Sequence, residues 1–213
     1  MPVSTARIPT FILAADRAVR AHAEEIAALD QAIGDGDHLA NLQRGLAALE
    51  ASAARLATLD WPTALNEIGR SLMSTVGGAS GSLYATLFVA MGKALPGRAE
   101  LDLPALAAAF AQGVLAVKQR GKAERGQKTM LDVLIPVADA LQAAAAAPVP
   151  LAQALEQVRE AAAAGCEATR DLVAVKGRAS FLGERARGYL DPGAKTSALM
   201  IQGIVESLAA TLP

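Results

Sequence analysis

Ile33–Gly34–Asp35–Gly36–Asp37–His38, with Asp30 just before it and Asn41 just after, is the stretch on which the reading of the chain turns. Apolar and alanine positions from Ile26 to Ile33 describe the end of a helix. Gly34 suits its left-handed C′ position, and Asp37 suits the N-cap of a second helix running through Asn41, Gly45 and Leu49. The stretch is therefore a helix–turn–helix corner that carries three carboxylates within eight residues, with no lysine or arginine until Arg44. Two such charges about 4 Å apart repel by about 4 kcal/mol at an effective dielectric of about 20, so their convergence calls for a counter-charge. Hard oxygen ligands suit magnesium or calcium, and a helix N-terminus attracts phosphate. Together they point to a magnesium nucleotide.

Counting removes the competing motifs. An EF-hand beginning at Asp35 requires glycine at its sixth position and glutamate at its twelfth, where the chain has Ala40 and Leu46. A dinucleotide fingerprint requires a preceding strand and a third glycine, but a helix precedes and Leu39 holds the glycine's place. No Walker A sequence occurs. Read alone, Asp35 and Asp37 also satisfy the ordinary turn and cap roles of an Asp-Gly-Asp.

Outward from this corner, alanine fills most segments and strand signals are nearly absent, which predicts an almost wholly helical protein. The spacing predicts a helix from about Pro9 to Ala32, broken near Ala21, and another from His38 to about Ala57. Pro62 opens a third, and Ser80 is a candidate N-cap for the next. Asp102 before Leu103–Pro104 starts a helix that ends near Gly121. Thr129 to Ala146 forms one with Pro136 inside it, implying a kink or break. Pro150 opens a helix to about Val173, and the last spans about Lys195 to Leu212. Eight or nine antiparallel helices of this length make a bundle or closed helical barrel, here expected as a single domain over residues 1–213.

Bulk properties narrow the partners. Charges nearly cancel, with 20 basic against 21 acidic residues, so no overall field favours nucleic acid or an anionic membrane. No signal peptide is expected, and the uncharged span Ser71–Gly92 has a glycine-rich middle that would expose backbone polar groups in hydrocarbon. One cysteine, Cys166, excludes an intramolecular disulfide and suits a reduced, cytoplasmic setting. Two connections are richer than simple joints. Lys118–Lys128 concentrates five basic residues, and Val175–Ala194 is a long loop with Arg178, Arg185 and Arg187. Ordered loops of this length are usually lids or binding loops, and guanidinium groups match phosphate oxygens bidentately.

Taken with Val76–Gly77–Gly78–Ala79–Ser80–Gly81, Gly121–Lys122–Ala123–Glu124, Lys128–Thr129–Met130, Lys176–Gly177–Arg178–Ala179–Ser180, Leu182–Gly183–Glu184–Arg185 and Asp191–Pro192–Gly193–Ala194, the acidic corner resembles the nucleotide-binding L subunits of bacterial dihydroxyacetone kinases. The resemblance covers essentially the whole chain. It implies an all-α, eight-helix antiparallel barrel with ADP or ATP bound at one end. It implies that Asp30, Asp35 and Asp37 hold two Mg2+ ions; that His38, Leu39, Ala40, Asn41, Ala79 and Ser80 surround the phosphates; and that Gly121 and Met130 line the adenine pocket. Asp191, Pro192, Gly193 and Arg178 would close over the nucleotide, with Arg178 nearest the charge that develops in transfer.

The resemblance further implies a phosphotransferase working with partners. A phosphocarrier subunit recharges bound ADP, and dihydroxyacetone waits on a separate K subunit. Related roles are an ATP-exchanging kinase subunit for another short ketose and a nucleotide-loaded regulator of a transcription factor; homodimer formation is left open. Physically the parts are coherent, because phosphoryl transfer needs positioning and charge neutralisation more than a protein nucleophile. Two departures from the family pattern are Leu39, where glycine is common, and Tyr189–Leu190 before Asp191.

Overall fold

The helices start where the sequence supplies caps and prolines. In the computed structural model, which describes residues 2–95, 97, 100–147 and 149–212, Asp60 caps α4 (Trp61–Thr75) by accepting from Thr63 N, with Pro62 in the first turn. Asp102 does the same for α6 (Leu103–Gly121) through Ala105 N. Asp191 caps α9 (Pro192–Ala209) through Ala194 N at 2.7 Å, so this helix starts three residues before the expected Lys195. The other helices are α1 (Ile8–Ala21), α2 (Ala23–Ile33), α3 (His38–Leu56), α5 (Gly78–Ala94), α7 (Leu131–Ala146) and α8 (Leu151–Ala168). The expected break near Ala21 falls at His22. The ends of the expected domain, Met1 and Pro213, lie outside the described residues.

Several local expectations are corrected. Gly34 is not left-handed (φ −120°); Gly36 takes the positive φ of 79° instead. Asp37 makes no side-chain cap, and Asp30 Oδ2 accepts from His38 N at 2.9 Å. Ser80 lies inside the first turn of α5, whose N-cap is Gly77. The helix expected from Thr129 starts at Leu131, and that expected to reach Val173 ends at Ala168, followed by a 3-10 turn over Thr169–Asp171. Pro136 leaves α7 unbroken. It has no N–H to return to the Asp132 carbonyl, and Gly165 of α8 packs tightly against this carbonyl: a Cβ there would lie 2.2 Å from Asp132 O.

Counting α1 and α2 as one interrupted helix, the chain forms an eight-membered ring. Each helix packs on its neighbour in sequence from α3 to α9, and α1 closes the ring against both α9 and α3. Residues in or beside the α2–α3, α4–α5, α6–α7 and α8–α9 joints line one common cleft, so these joints gather at one end and neighbouring helices alternate in direction. The larger core cluster includes Val19, Leu46, Leu65 and Leu87, the smaller Val133, Val158 and Leu199's neighbour Ala198; half-buried Leu106, Phe110 and Ile201 touch both. At the opposite end, two-residue strands β1 (Val3–Ser4) and β2 (Glu100–Leu101) pair antiparallel, Val3 facing Leu101. No helix among the described residues is long and apolar enough to cross a membrane.

Candidate functional site

Four helices, α3, α5, α7 and α9, begin at the same end of the ring, directing the positive poles of their peptide dipoles towards one opening. That opening is a cleft of about 900 Å3, within the range of small-molecule sites. Asp30, Asp35, Asp37, His38, Ala79, Ser80, Gly121, Met130, Arg178, Asp191, Pro192 and Gly193 all line it. Leu39, Ala40 and Asn41 do not: Leu39 is half-buried against the larger core, and Ala40 is exposed. Asn41 is buried and accepts from Arg44; a Cβ on Gly77 would lie 2.9 Å from Asn41 Oδ1, so Asn41 supports the turn into α5.

The acidic corner converges as its spacing requires. One oxygen from each of Asp30, Asp35 and Asp37 lies within 4.8 Å of the others, Asp30 buried and the other two exposed. Gly34 makes this possible, since a Cβ there would sit 1.9 Å from Asp30 Oδ1. An all-carboxylate set with solvent-facing members fits magnesium, which takes one or two carboxylates and fills its remaining positions with water and phosphate oxygens. Arg178 Nε meets Asp35 Oδ2 at 2.8 Å across this corner.

Behind the corner stands a buried polar chain. His38 Nε2 is 3.1 Å from Thr196 Oγ1, which donates back to Pro192 O at 3.0 Å. Tyr84 OH lies 3.2 Å from the same hydroxyl and 2.9 Å from Ser197 Oγ. These bonds tie the starts of α3 and α9 to the middle of α5. Burial holds the His38 ring below its usual range despite the pull of Asp30, Asp37 and Asp35, and pushes the Tyr84 phenol up. The opposite wall is apolar: Leu83, Val117, Ala123 and Met130 form a slot suited to a planar base.

The long connection expected from Val175 to Ala194 is not structureless. Arg178–Ala186 forms 3-10 turns interrupted at Gly183 (φ 57°), and α9 takes its last three residues. Ala179 and Ala186, with half-buried Leu182, pack on Ile33 and Ala174 as a small separate core. Exposed Phe181 stands at the rim of the cleft. Sequence reading placed Lys128 in a basic stretch and in the Lys128–Thr129–Met130 motif but gave it no role of its own. It is 1% exposed, and its Nζ donates to Thr169 O and Tyr189 O, both at 2.6 Å. Asp132 holds the preceding turn by accepting from Gly126 N and from Thr129 N at 2.8 Å. Burial pushes the Asp191 carboxyl up to about 7 and draws the Lys128 amine down. Burial also pushes the Cys166 thiol up to about 11, as suits a packing residue rather than a nucleophile.

Residues 32–206 match the family described as the DAK2 domain. The ADP-binding subunit DhaL of PEP-dependent dihydroxyacetone kinase 1 from Listeria innocua is 41% identical over 179 residues, 84% of this chain and 84% of that one. The corresponding Escherichia coli subunit is 36% identical over 202 residues, 95% of this chain and 96% of that one. The ADP-binding subunit of the PTS-dependent kinase of Lactococcus lactis is 40% identical over 185 residues, 85% and 86% of the two chains. Among solved structures, the dihydroxyacetone kinase from C. freundii in complex with AMP-PNP and Mg2+ superposes with a TM-score of 0.70 at 26% identity. The match covers 100% of this chain but only 35% of that kinase chain.

Proposed function

This chain belongs to the DAK2 domain family, and from that premise we propose that it is the nucleotide-binding subunit of a dihydroxyacetone kinase. It takes a phosphoryl group from a phosphocarrier protein onto bound ADP and passes it to dihydroxyacetone held by a separate K subunit. The observation that supports this reading most directly is the meeting, at one end of the ring, of Asp30, Asp35 and Asp37 with Arg178 and the starts of four helices.

In this reading Asp30, Asp35 and Asp37 would hold two magnesium ions, which would supply neutralising charge for the phosphates. The first turns of α3 and α5, with Ala79 and Ser80, offer backbone N–H groups to phosphate oxygens. Leu83, Val117, Gly121 and Met130 receive the adenine ring, and Asp191, Pro192 and Gly193 form the facing wall. Arg178, 69% exposed at its side chain, reaches the open side of the cleft where an acceptor must arrive. There it stabilises charge developing on the transferring group, as planar guanidinium does for phosphoryl oxygens. With the cleft committed to the nucleotide, the sugar comes on the K subunit. The setting this reading implies is cytoplasmic, as a lone unpaired Cys166 suits a reducing compartment.

The test is direct. Native mass spectrometry of the purified chain, followed by denaturing release, should yield ADP or ATP. The chain should then complete phosphoryl transfer to dihydroxyacetone when mixed with the K subunit and a phosphorylated carrier. A chain that releases no nucleotide and supports no transfer would overturn the proposal.

A further inference from the structure

The loop that carries Arg178 leaves the barrel at Thr169, after α8, and rejoins it at Tyr189, just before α9. Its two stems are held together at three levels. Arg170 Nη1 donates to Gly188 O at 3.2 Å, and Gly188 N donates to Arg170 O at 2.9 Å. One residue further in, Asp191 N donates to Thr169 Oγ1 at 3.0 Å. At the base, Lys128 Nζ reaches from the far wall of the cleft and donates to both stems at once, to Thr169 O and to Tyr189 O.

A lysine this deeply buried is expensive to desolvate, and such groups ordinarily persist only when paired and hydrogen-bonded. Lys128 also sits at φ 59°, a left-handed conformation uncommon for a residue with a side chain. Asp191, Asp171 and Asp132 partly offset this burial, and Arg170 opposes them. Lys128 leads directly into Thr129 and Met130, and Met130 N lies 3.8 Å from where a Gly193 Cβ would stand. The same residue thus connects the base-binding wall, the end of α8, and the entry to α9.

We propose that Lys128 is a positioning residue for phosphoryl transfer: its ammonium clasps the two stems of the 169–189 loop and so holds Arg178 over the acidic corner. The small core of Ile33, Ala174, Ala179 and Ala186 seats the loop from below, and the Lys128 clasp fixes its ends. The inference rests on the catalytic reading of Arg178 given above. It does not require Lys128 to touch the nucleotide or the transferring group.

The experiment is a double-mutant cycle of Lys128→Met with Arg178→Ala in the assembled kinase, read together with hydrogen exchange on the isolated chain. Lys128→Met should slow transfer on the order of 10- to 100-fold, the penalty expected for a misplaced charge-stabilising group, while ADP affinity changes much less. On the Arg178→Ala background the same change should cost little more, because the group it positions is gone. Amides of residues 170–189 should exchange faster in Lys128→Met, whatever the state of catalysis. Lys128→Arg, which keeps the cation and its donors, should recover part of the rate. If Lys128→Met does not fold, Arg170→Ala loosens the same stems from the exposed side and should show a smaller loss, again absent without Arg178. Independent, additive losses or unchanged exchange over 170–189 would overturn the clasp. An Arg178→Ala enzyme with full activity would instead overturn the catalytic reading beneath it.

Discussion

Arg178 Nε and Asp35 Oδ2 form an ion pair of 2.8 Å, so one carboxylate of the acidic corner already has an arginine partner. On the proposed reading, arginine and metal compete for it. Because the guanidinium is mostly exposed, the pair is worth only about 0.2–1 kcal/mol. Arg178→Ala should therefore tighten Mn2+ binding, by up to about fivefold on that figure, even as it greatly slows transfer. Asp35→Asn should weaken Mn2+ binding by at least about 10-fold, since losing a ligand costs no less than losing a partner that orients one. Calorimetric titration with Mn2+ alone separates these effects from turnover; looser binding in Arg178→Ala would contradict the competition.

Asp30 has two jobs that substitutions can divide. It accepts the His38 amide that opens α3, and it contributes an oxygen to the acidic corner. Asp30→Asn retains an acceptor for the amide and should leave metal-free stability nearly unchanged while losing Mn2+ affinity. Asp30→Ala removes the cap as well and should cost about 1 kcal/mol more in urea unfolding with chelator present. Equal destabilisation by both would show that the charge, not the cap, holds the corner.

How much of this was legible follows the range of the interactions involved. The starts of α4 and α6 were readable because each is an Asp–x–Pro signal whose physics is complete within one turn. The acidic corner was readable for the same reason, its members being one to eight residues from His38. Who caps α3 was not, because the choice between Asp37 and Asp30 depends on how α2 meets α3. The N-cap of α5 at Gly77 rather than Ser80 reflects the tight approach of Gly77 to Asn41, another helix away. The 3-10 turns of the arginine loop owe their order to Ile33 and Ala174, contacts no local pattern announces. Lys128 looked like one cation of five because burial of a lysine is a property of the assembled barrel.

Asp191 gives the site a pH signature. Its carboxyl is pushed from an ordinary 3.8 up to about 7, chiefly by burial, against the opposing pull of the Ala194 amide and Lys128. Between these values the folded chain keeps a proton that the unfolded chain has released. Stability from this group is therefore greatest below about pH 4, declines as pH rises towards 7, and changes no further above it. Asp191→Asn keeps an oxygen for the α9 cap but carries no titrating group. Relative to the parent chain its melting temperature should rise progressively between pH 4 and pH 7, and a flat difference across that range would refute the assignment.

Two glycines of the acidic corner should respond oppositely to the same substitution. At Gly34 the backbone is at φ −120°, which any residue adopts, but an added Cβ would lie 1.9 Å from Asp30 Oδ1 and 2.8 Å from Asp30 O. The obstacle is steric and falls on a carboxylate of the proposed metal site. Gly34→Ala should therefore push Asp30 away from Asp35 and Asp37, cost about 1–3 kcal/mol as overpacking does, and sharply weaken Mn2+ binding. At Gly36 nothing lies within 4 Å of the added Cβ, but φ is 79°. Its obstacle is conformational strain, about 1 kcal/mol for an L-residue in the left-handed region, with no direct clash with the carboxylates. Gly36→Ala should lower the melting temperature modestly and leave Mn2+ affinity nearly intact. Paired thermal melts and Mn2+ titrations of the two variants give the answer, and a Gly36→Ala chain that lost the metal while Gly34→Ala kept it would reverse the account of how this corner is built.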